Sequence, residues 1–169
     1  AEGKPVRAKC CIVVLGNHET TPWTKGDCFA SVVAQSSVRL LASLAVQNRR
    51  VLKQADCKNA FCQPTLPSDK VVVCKPPAGC PRSKPGELWR LRKTLYGLRR
   101  SPRHWYELIR SVFADLGLTP CPHAPSVFTG SPLPGQPPIY IAVYVDDLAY
   151  FSASDAVESW FETALQSKL

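Results

Sequence analysis

The feature that most constrains the fold is the apolar stretch from Ile139 to Phe151, whose charged members are Asp146 and Asp147. Side chains alternate before this acidic pair with the period of two that β-strands show. One predicted face carries Ile139, Ile141, Val143 and Val145, and the other carries Tyr140, Ala142, Tyr144 and Asp146. A second short apolar run follows the pair. The stretch therefore predicts two strands joined by a tight turn.

The acidic pair carries the chemistry of this predicted hairpin. Two adjacent carboxylates among β-branched and aromatic residues repel each other and lose hydration, which is costly unless a cation neutralises them. Magnesium prefers a few carboxylate oxygens together with water and substrate phosphates. Asp56, at the end of another apolar strand, would complete the carboxylate set of a two-metal phosphoryl transfer. The residues alone leave two alternatives open: ordinary Asp-Asp turn residues, and Asp56 as a strand-end cap.

The rest of the chain predicts an α+β fold. Predicted strands cover residues 11–15, 51–56, 71–75 and 88–92. Helical spacing predicts a helix from Ser36 or Ser37 to Arg49-Arg50, one from Ser101-Pro102 to Gly117, and a final one that opens with Asp155 and Glu158. Residues 119–138 are rich in proline and glycine and are predicted to be a surface excursion. Strands and helices mix without strict alternation, which favours α+β over a doubly wound fold.

Net charge adds a candidate partner. The formal charge is +8, and residues 82–110 hold nine basic residues against Glu87 and Glu107. Trp89, Tyr96, Trp105 and Tyr106 are interleaved with them. Cations for phosphates and rings that stack on bases suit a nucleic-acid surface. A solvated basic face is the alternative that charge alone leaves open.

Cysteine usage and hydropathy limit the other classes. The eight cysteines form no CxxC pair, so reduced and mostly buried thiols are expected. Cys121-x-His123 is a weak zinc pattern without paired ligand clusters, and a zinc-binding module stays a minor alternative. No apolar run reaches the roughly 18 residues of a membrane span, and no signal peptide opens the chain, so a soluble intracellular protein is expected. Because the chain begins at Ala1 and lacks methionine, we expect a segment of a longer product.

Four blocks resemble the reverse transcriptases of Ty1/copia-type retrotransposons. Residues 56–61 (DCKNAF) resemble the first acidic motif, and residues 75–79 (KPPAG) are similar to a Gln-Pro-Pro-Gly segment. Residues 91–106 (LRKTLYGLRRSPRHWY) resemble the family's long signature, and residues 144–147 (YVDD) its catalytic turn. The blocks occur in the family's order with suitable gaps, and the resemblance covers roughly residues 9–169.

The resemblance implies a right-hand polymerase with an antiparallel palm sheet backed by helices. Residues 1–169 would be a partial domain of fingers and palm, without a thumb. Asp56, Asp146 and Asp147 would be catalytic and would hold two Mg²⁺ ions, for which Mn²⁺ could substitute. The reaction would be nucleotidyl transfer from a dNTP to a primer 3′-hydroxyl.

The resemblance also implies binding residues and partners. Phe61 matches the position below the incoming sugar, where a bulky ring excludes a 2′-hydroxyl, and Tyr96 and Gly97 match the segment against template and nucleotide. Lys9 is a candidate nucleotide contact. The expected nucleic-acid contacts are Arg92, Lys93, Arg99, Arg100 and Arg103. Partners would be an RNA or DNA template-primer, dNTPs and the rest of a Pol polyprotein (thumb and RNase H), with no membrane, in a cytoplasmic particle and the nucleus.

Several positions depart from the family pattern. Cys11 stands where the fingers strand usually has arginine, which removes a candidate triphosphate contact. Cys62-Gln63-Pro64 replaces a common Leu-Asn-Gly, Arg100 a usual glutamine, and Ala124 a usual aspartate. These departures leave an alternative open: a catalytically inactive, degenerate fragment that at most binds nucleic acid.

Overall fold

The computed structural model describes residues 10–20 and 22–169. The helices are α1 (Lys25–Cys28), α2 (Gln35–Gln47), α3 (Ser101–Asp115) and α4 (Asp155–Lys168), with 3₁₀ turns at Gly16–His18 and Ala60–Cys62. The strands are β1 (Lys53–Asp56), β2 (Val72–Cys74), β3 (Trp89–Leu91), β4 (Thr119–Cys121), β5 (Ala124–Gly130), β6 (Ile139–Tyr144) and β7 (Asp147–Ser152).

Five strands form one antiparallel sheet in the order β1-β7-β6-β5-β4, and β2 and β3 form a separate antiparallel pair. The β6–β7 hairpin lies at the centre of the larger sheet, so both of its edges are paired. The described residues contain four α-helices and no parallel strand pair. The predicted α+β class with an antiparallel sheet is confirmed.

The two faces of the sheet bury different side chains, as the alternation in β6 predicts. Ile139, Ile141 and Val143 belong to the main core, which α3 and α4 cover. Ala142 and Phe151 face the other way, into a smaller cluster beneath α2. Burying both faces explains why β6 is an almost unbroken apolar run.

The predicted helices are present, and their ends have local causes. Pro102 lies in the first turn of α3, where its fixed φ suits the helix and its missing N–H costs nothing. Gly117 follows α3 with φ +75°, the left-handed conformation in which glycine commonly ends helices. The predicted cap of α2 at Ser36 or Ser37 is wrong, because Ala34 is the N-cap and makes no side-chain capping bond.

Two strand-level predictions are wrong. Residues 119–138 are not a surface excursion, because β4 and β5 occupy much of that range and Phe128 is fully buried. Proline was misleading here, since Pro120 lies on the outermost strand, where a missing amide is tolerated. Residues 11–15 form no strand; the Val14 amide donates to the Tyr96 carbonyl outside any sheet.

None of the helices in residues 10–20 and 22–169 is long and apolar enough to cross a bilayer.

Candidate active site at the β6–β7 turn

The two central strands are joined by the tightest turn that a hairpin allows. Tyr144 and Asp147 are paired across the ladder, so Val145 and Asp146 alone form the loop. Val145 has φ +57°, whereas Asp146 does not have a positive φ. This sign pattern matches a type II′ turn, whose first central position is normally glycine. A β-branched residue there stores strain of about 1–3 kcal/mol, which the surroundings must offset.

Strand pairing brings Asp56 to this turn from 90 residues away. Asp56 and Asp147 are direct partners in the β1–β7 ladder. The amide of Cys57 donates to the carbonyl of Asp146 at 2.8 Å, so the backbone of the turn is bonded to the end of β1. The structure therefore places all three sequence-predicted aspartates at one end of the sheet.

The carboxylate oxygens of the three aspartates suit a hard divalent cation, but their side chains are not arranged as a set of metal ligands. Three carboxylates in adjoining backbone positions are the oxygen ligands that Mg²⁺ prefers. Oδ1 of Asp147 accepts a hydrogen bond from Nε2 of Gln54 at 3.0 Å. Within residues 10–20 and 22–169, no group of three or more His, Cys, Asp or Glu side chains is arranged to hold a metal ion. The backbone thus assembles the aspartates, and their carboxylates are not drawn together.

The turn is also held from helix α3. The indole Nε1–H of Trp105 donates to the carbonyl of Val145 at 2.5 Å. Trp105 is 2% exposed and belongs to the main core. The two carbonyls of the turn are therefore bonded to different elements, that of Val145 to α3 and that of Asp146 to the residue after β1.

An ion-pair network fixes the other end of β1. Glu158, buried on α4, accepts a hydrogen bond from the Ser152 amide at 3.0 Å. It also forms ion pairs with Arg50 and Lys53, each at 3.0 Å. Lys53 also contacts Glu162 at 2.8 Å. Strand β1 is only four residues long, so anchoring its first residue to α4 also anchors its last, Asp56.

The pKa of the Cys57 thiol is raised by its burial next to the three aspartates. Burial, and then the negative charges of Asp56, Asp146 and Asp147, raise the pKa of Cys57 to about 12. The thiol therefore stays protonated at neutral pH and does not compete for a metal, because the thiolate is the ligating form.

The predicted nucleotide-binding aromatics lie beside the aspartates. The rings of Phe61 and Tyr96 pack edge to face with centroids 5.1 Å apart. Burial, and then chiefly the charge of Asp146, raise the pKa of Tyr96. The hydroxyl of Thr94 donates to the Phe61 carbonyl at 2.6 Å, which ties Phe61 to the basic block, the cation-rich residues 82–110. Lys9, the remaining predicted nucleotide contact, lies outside the described residues.

The backbone of Gly97 lies directly against the backbone of Val14. Its φ is +91°, and a Cβ there would lie 1.9 Å from the Val14 carbonyl oxygen. A Cβ on Gly16 would lie 2.1 Å from the Gly97 carbonyl oxygen. The two segments therefore touch backbone to backbone, which requires glycine on both sides.

The predicted nucleic-acid residues fall into three groups. Arg99 donates from Nε to the Gly16 carbonyl at 2.6 Å, and Arg100 donates to that of Pro22 at 2.9 Å, so both hold the segment before α1. Arg103 is paired with Glu107 at 2.6 Å. Arg92 and Lys93 are exposed, with no side-chain hydrogen bond or ion pair to the rest of residues 10–20 and 22–169.

A cleft opens beside Asp147. Its volume is about 620 Å³, within the usual range of ligand sites. Val33, Val38 and Leu52 contribute to an apolar lining, and Gln54 and Asp147 contribute polar atoms. The cleft is therefore mainly apolar, with its polar atoms at the side of Asp147.

Sequence reasoning missed Trp105, Gln54 and the Glu158 network. The sequence shows Trp105 as a core residue of an amphipathic helix, and the only signal of its bond is that a buried indole N–H needs an acceptor. Glu158 carries the ordinary signal of an acid near a helix N-terminus. Gln54 gives no signal at all.

Together the fold and the site define an α+β domain with carboxylates on a hairpin turn beside an aromatic, basic block. A family model described as reverse transcriptase (RNA-dependent DNA polymerase) matches residues 1–169. The chain belongs to this family.

Curated relatives agree with this assignment. The Retrovirus-related Pol polyprotein from transposon RE2 of Arabidopsis thaliana is 32% identical over 148 residues, which cover 88% of this chain and 10% of that protein. That from transposon RE1 of the same plant is 31% identical over the same shares. The Pol polyprotein from transposon TNT 1-94 of Nicotiana tabacum is 32% identical over 61% of this chain and 8% of that protein. The predicted resemblance to copia-type elements is confirmed.

The chain spans about one tenth of the length of the RE1 and RE2 polyproteins. No solved structure matches it.

Proposed function

We propose that this chain is the fingers-and-palm part of a reverse transcriptase, which transfers a nucleotidyl group from a dNTP to a primer 3′-hydroxyl. The observation that carries the proposal is the pairing of Asp56 with Asp147 across β1 and β7, with Asp146 in the intervening turn. Residues 1–169 form one partial domain in this account, and a thumb lies in another part of the polyprotein.

Asp56, Asp146 and Asp147 would hold two magnesium ions, and Mn²⁺ would substitute. When bound, the ions neutralise phosphate charge and lower the pKa of the attacking hydroxyl. The chain itself places the aspartates by backbone pairing, holds the turn through Trp105 and anchors β1 through Lys53.

Phe61 and Tyr96 would form the nucleotide side of the site. Their edge-to-face contact, with ring centroids 5.1 Å apart, supports the Phe61 ring from one side. A fixed ring below the sugar would exclude a 2′-hydroxyl by steric clash and so favour dNTPs. Gly97 would support this surface by letting the Val14–Gly16 segment lie directly behind it, and Lys9 would contact the triphosphate.

The exposed cations Arg92 and Lys93 would contact template and primer phosphates, and Arg103 on α3 would contribute a further contact. Arg99 and Arg100 would act on nucleic acid indirectly, by holding the segment before α1.

A second candidate function follows from the same surface. A domain that binds nucleic acid through these cations without catalysis would depend on salt and would ignore the aspartates.

Primer extension on an RNA template with dNTPs and Mg²⁺ or Mn²⁺ tests the proposal. The matched pair is Asp146→Asn and Asp69→Asn, since Asp69 is an exposed turn residue that lies outside β1, β6 and β7. We expect incorporation by the unsubstituted chain and by Asp69→Asn, and none by Asp146→Asn. A folded chain that retains salt-dependent binding but incorporates nothing would support the second candidate instead.

A further inference from the structure

We propose that Trp105 is a positioning residue of the polymerase site, whose indole N–H holds the strained turn in the conformation that presents Asp146. The inference rests on the proposed function for its catalytic meaning. Its structural content, a single hydrogen bond that sets the shape of the turn, stands on the contacts around Val145.

The turn needs an external support because its sequence opposes its shape. Val145 occupies φ +57°, which β-branched residues rarely adopt. Rotation of the Val145–Asp146 peptide, which changes ψ of Val145 and φ of Asp146, would convert the turn to another type and redirect the Asp146 side chain. The bond from Trp105 to the Val145 carbonyl opposes that rotation, since it fixes the orientation of this peptide.

Packing beneath the turn does not provide the support. A cavity of about 340 Å³ lies between α3 and the segment that follows α1, and its lining includes Phe61, Val143 and Val145 as well as Trp105. Space on this side leaves room for the turn to rearrange. Among the described residues, the other bond to a carbonyl of the turn is that of the Cys57 amide to Asp146, which leaves the Val145 carbonyl to Trp105.

Trp105 itself is held rigidly enough to act as an anchor. Its side chain is 2% exposed in the main core. Helix α3 is fixed on both sides of it, since the Ser101 hydroxyl donates to the Leu95 carbonyl at 2.7 Å and the Tyr106 hydroxyl donates to the Pro125 carbonyl at 3.1 Å. The basic block and the turn are thereby joined into one unit that sets Tyr96 and Asp146 relative to each other.

The test replaces Trp105 with 3-benzothienylalanine, which keeps the shape of the indole and lacks its N–H. The matched control is the same replacement at Trp160, a half-buried tryptophan on α4 that packs against the same core. Two readouts are used. The first is the set of backbone NMR signals of residues 144–147, and the second is the separation of kcat from the KM for dNTP in primer extension.

We expect the replacement at Trp105 to shift or broaden the signals of residues 144–147, and the control to leave them unchanged. In primer extension, kcat should fall about tenfold or more while KM for dNTP changes less than about threefold. Val145→Gly should restore part of kcat in the substituted chain, because glycine adopts the turn without support. A merely structural Trp105 would lower stability and leave this separation and this rescue absent.

Unchanged signals of residues 144–147 after the replacement at Trp105 would overturn the inference, whatever the chain's activity. An unsubstituted chain that is folded but incorporates no dNTP would refute the proposed function, and the NMR signals would still decide whether Trp105 holds the turn.

Discussion

The backbone contact between Gly97 and the Val14–Gly16 segment gives a prediction with a worked magnitude. In Gly97→Ala, the new Cβ meets the Val14 carbonyl oxygen at 1.9 Å, at φ +91°. The left-handed backbone alone costs about 1–2 kcal/mol. Relief of the clash requires the segments to part, which loses the bond from the Val14 amide to the Tyr96 carbonyl, about 1 kcal/mol. Parting also weakens the Arg99 bond to Gly16, worth about another 1.5 kcal/mol.

The free energy of unfolding should therefore fall by about 3.5–4.5 kcal/mol in Gly97→Ala, a large share of the stability of a small domain. Substitutions at two other glycines measure the cost of the left-handed backbone and the cost of the clash separately. Gly135→Ala has φ +71° and no atom within 4 Å of the new Cβ, so it should cost only the left-handed backbone, about 1–2 kcal/mol. Gly16→Ala adds the clash at 2.1 Å without a left-handed backbone, and it should cost about 2–3 kcal/mol.

Urea unfolding followed by far-UV circular dichroism measures all three variants. The order of cost should be Gly97→Ala, then Gly16→Ala, then Gly135→Ala. If Gly97→Ala costs no more than Gly135→Ala, the close contact between the two segments is wrong, and with it the account of why glycine is required at both positions.

Three further predictions concern the surroundings of the aspartates. Glu158→Ala should lower the free energy of unfolding by about 2–3 kcal/mol, because it removes a buried hydrogen-bond acceptor and ion-pair partner. Glu107→Ala, which removes an exposed ion pair, should cost less than about 0.5 kcal/mol, and urea unfolding compares the two variants. Iodoacetamide at pH 8 should modify the exposed Cys10 and spare Cys57, because a pKa of about 12 keeps the Cys57 thiol protonated. Modification of Cys57 as fast as that of Cys10 would contradict this prediction. Val145→Gly should raise the free energy of unfolding by about 0.5–1 kcal/mol, because glycine suits the turn; a loss of stability would refute the type II′ assignment.

The parts of the fold that sequence predicted are those with local causes. The β6–β7 hairpin follows from alternation around Asp146 and Asp147, and α3 follows from its apolar period with Pro102 at one end and Gly117 at the other. Strand β5 was missed because its burial comes from packing against other elements, such as Phe113 of α3 against Phe128, which its own composition does not reveal.

The candidate site shows the same division. The sequence indicated the three aspartates, two through one motif and the third as an acid at a strand end. Their convergence depends on the pairing of β1 with β7, whose partners lie more than 90 residues apart. The support of the turn by Trp105 depends on how α3 crosses the sheet. Such tertiary relations are set by packing as a whole, and no local pattern encodes them.

The central claim is that Asp56, from β1, and the aspartates of the turn act as one metal site. Titration with Mn²⁺ followed by electron paramagnetic resonance tests it on the unsubstituted chain, Asp56→Asn, Asp146→Asn and the control Asp69→Asn. The account predicts that the first two substitutions each weaken Mn²⁺ binding about tenfold or more, since each removes a charged ligand of the same ions, and that Asp69→Asn has no effect. Mn²⁺ affinity unchanged in Asp56→Asn but lowered in Asp146→Asn would contradict it.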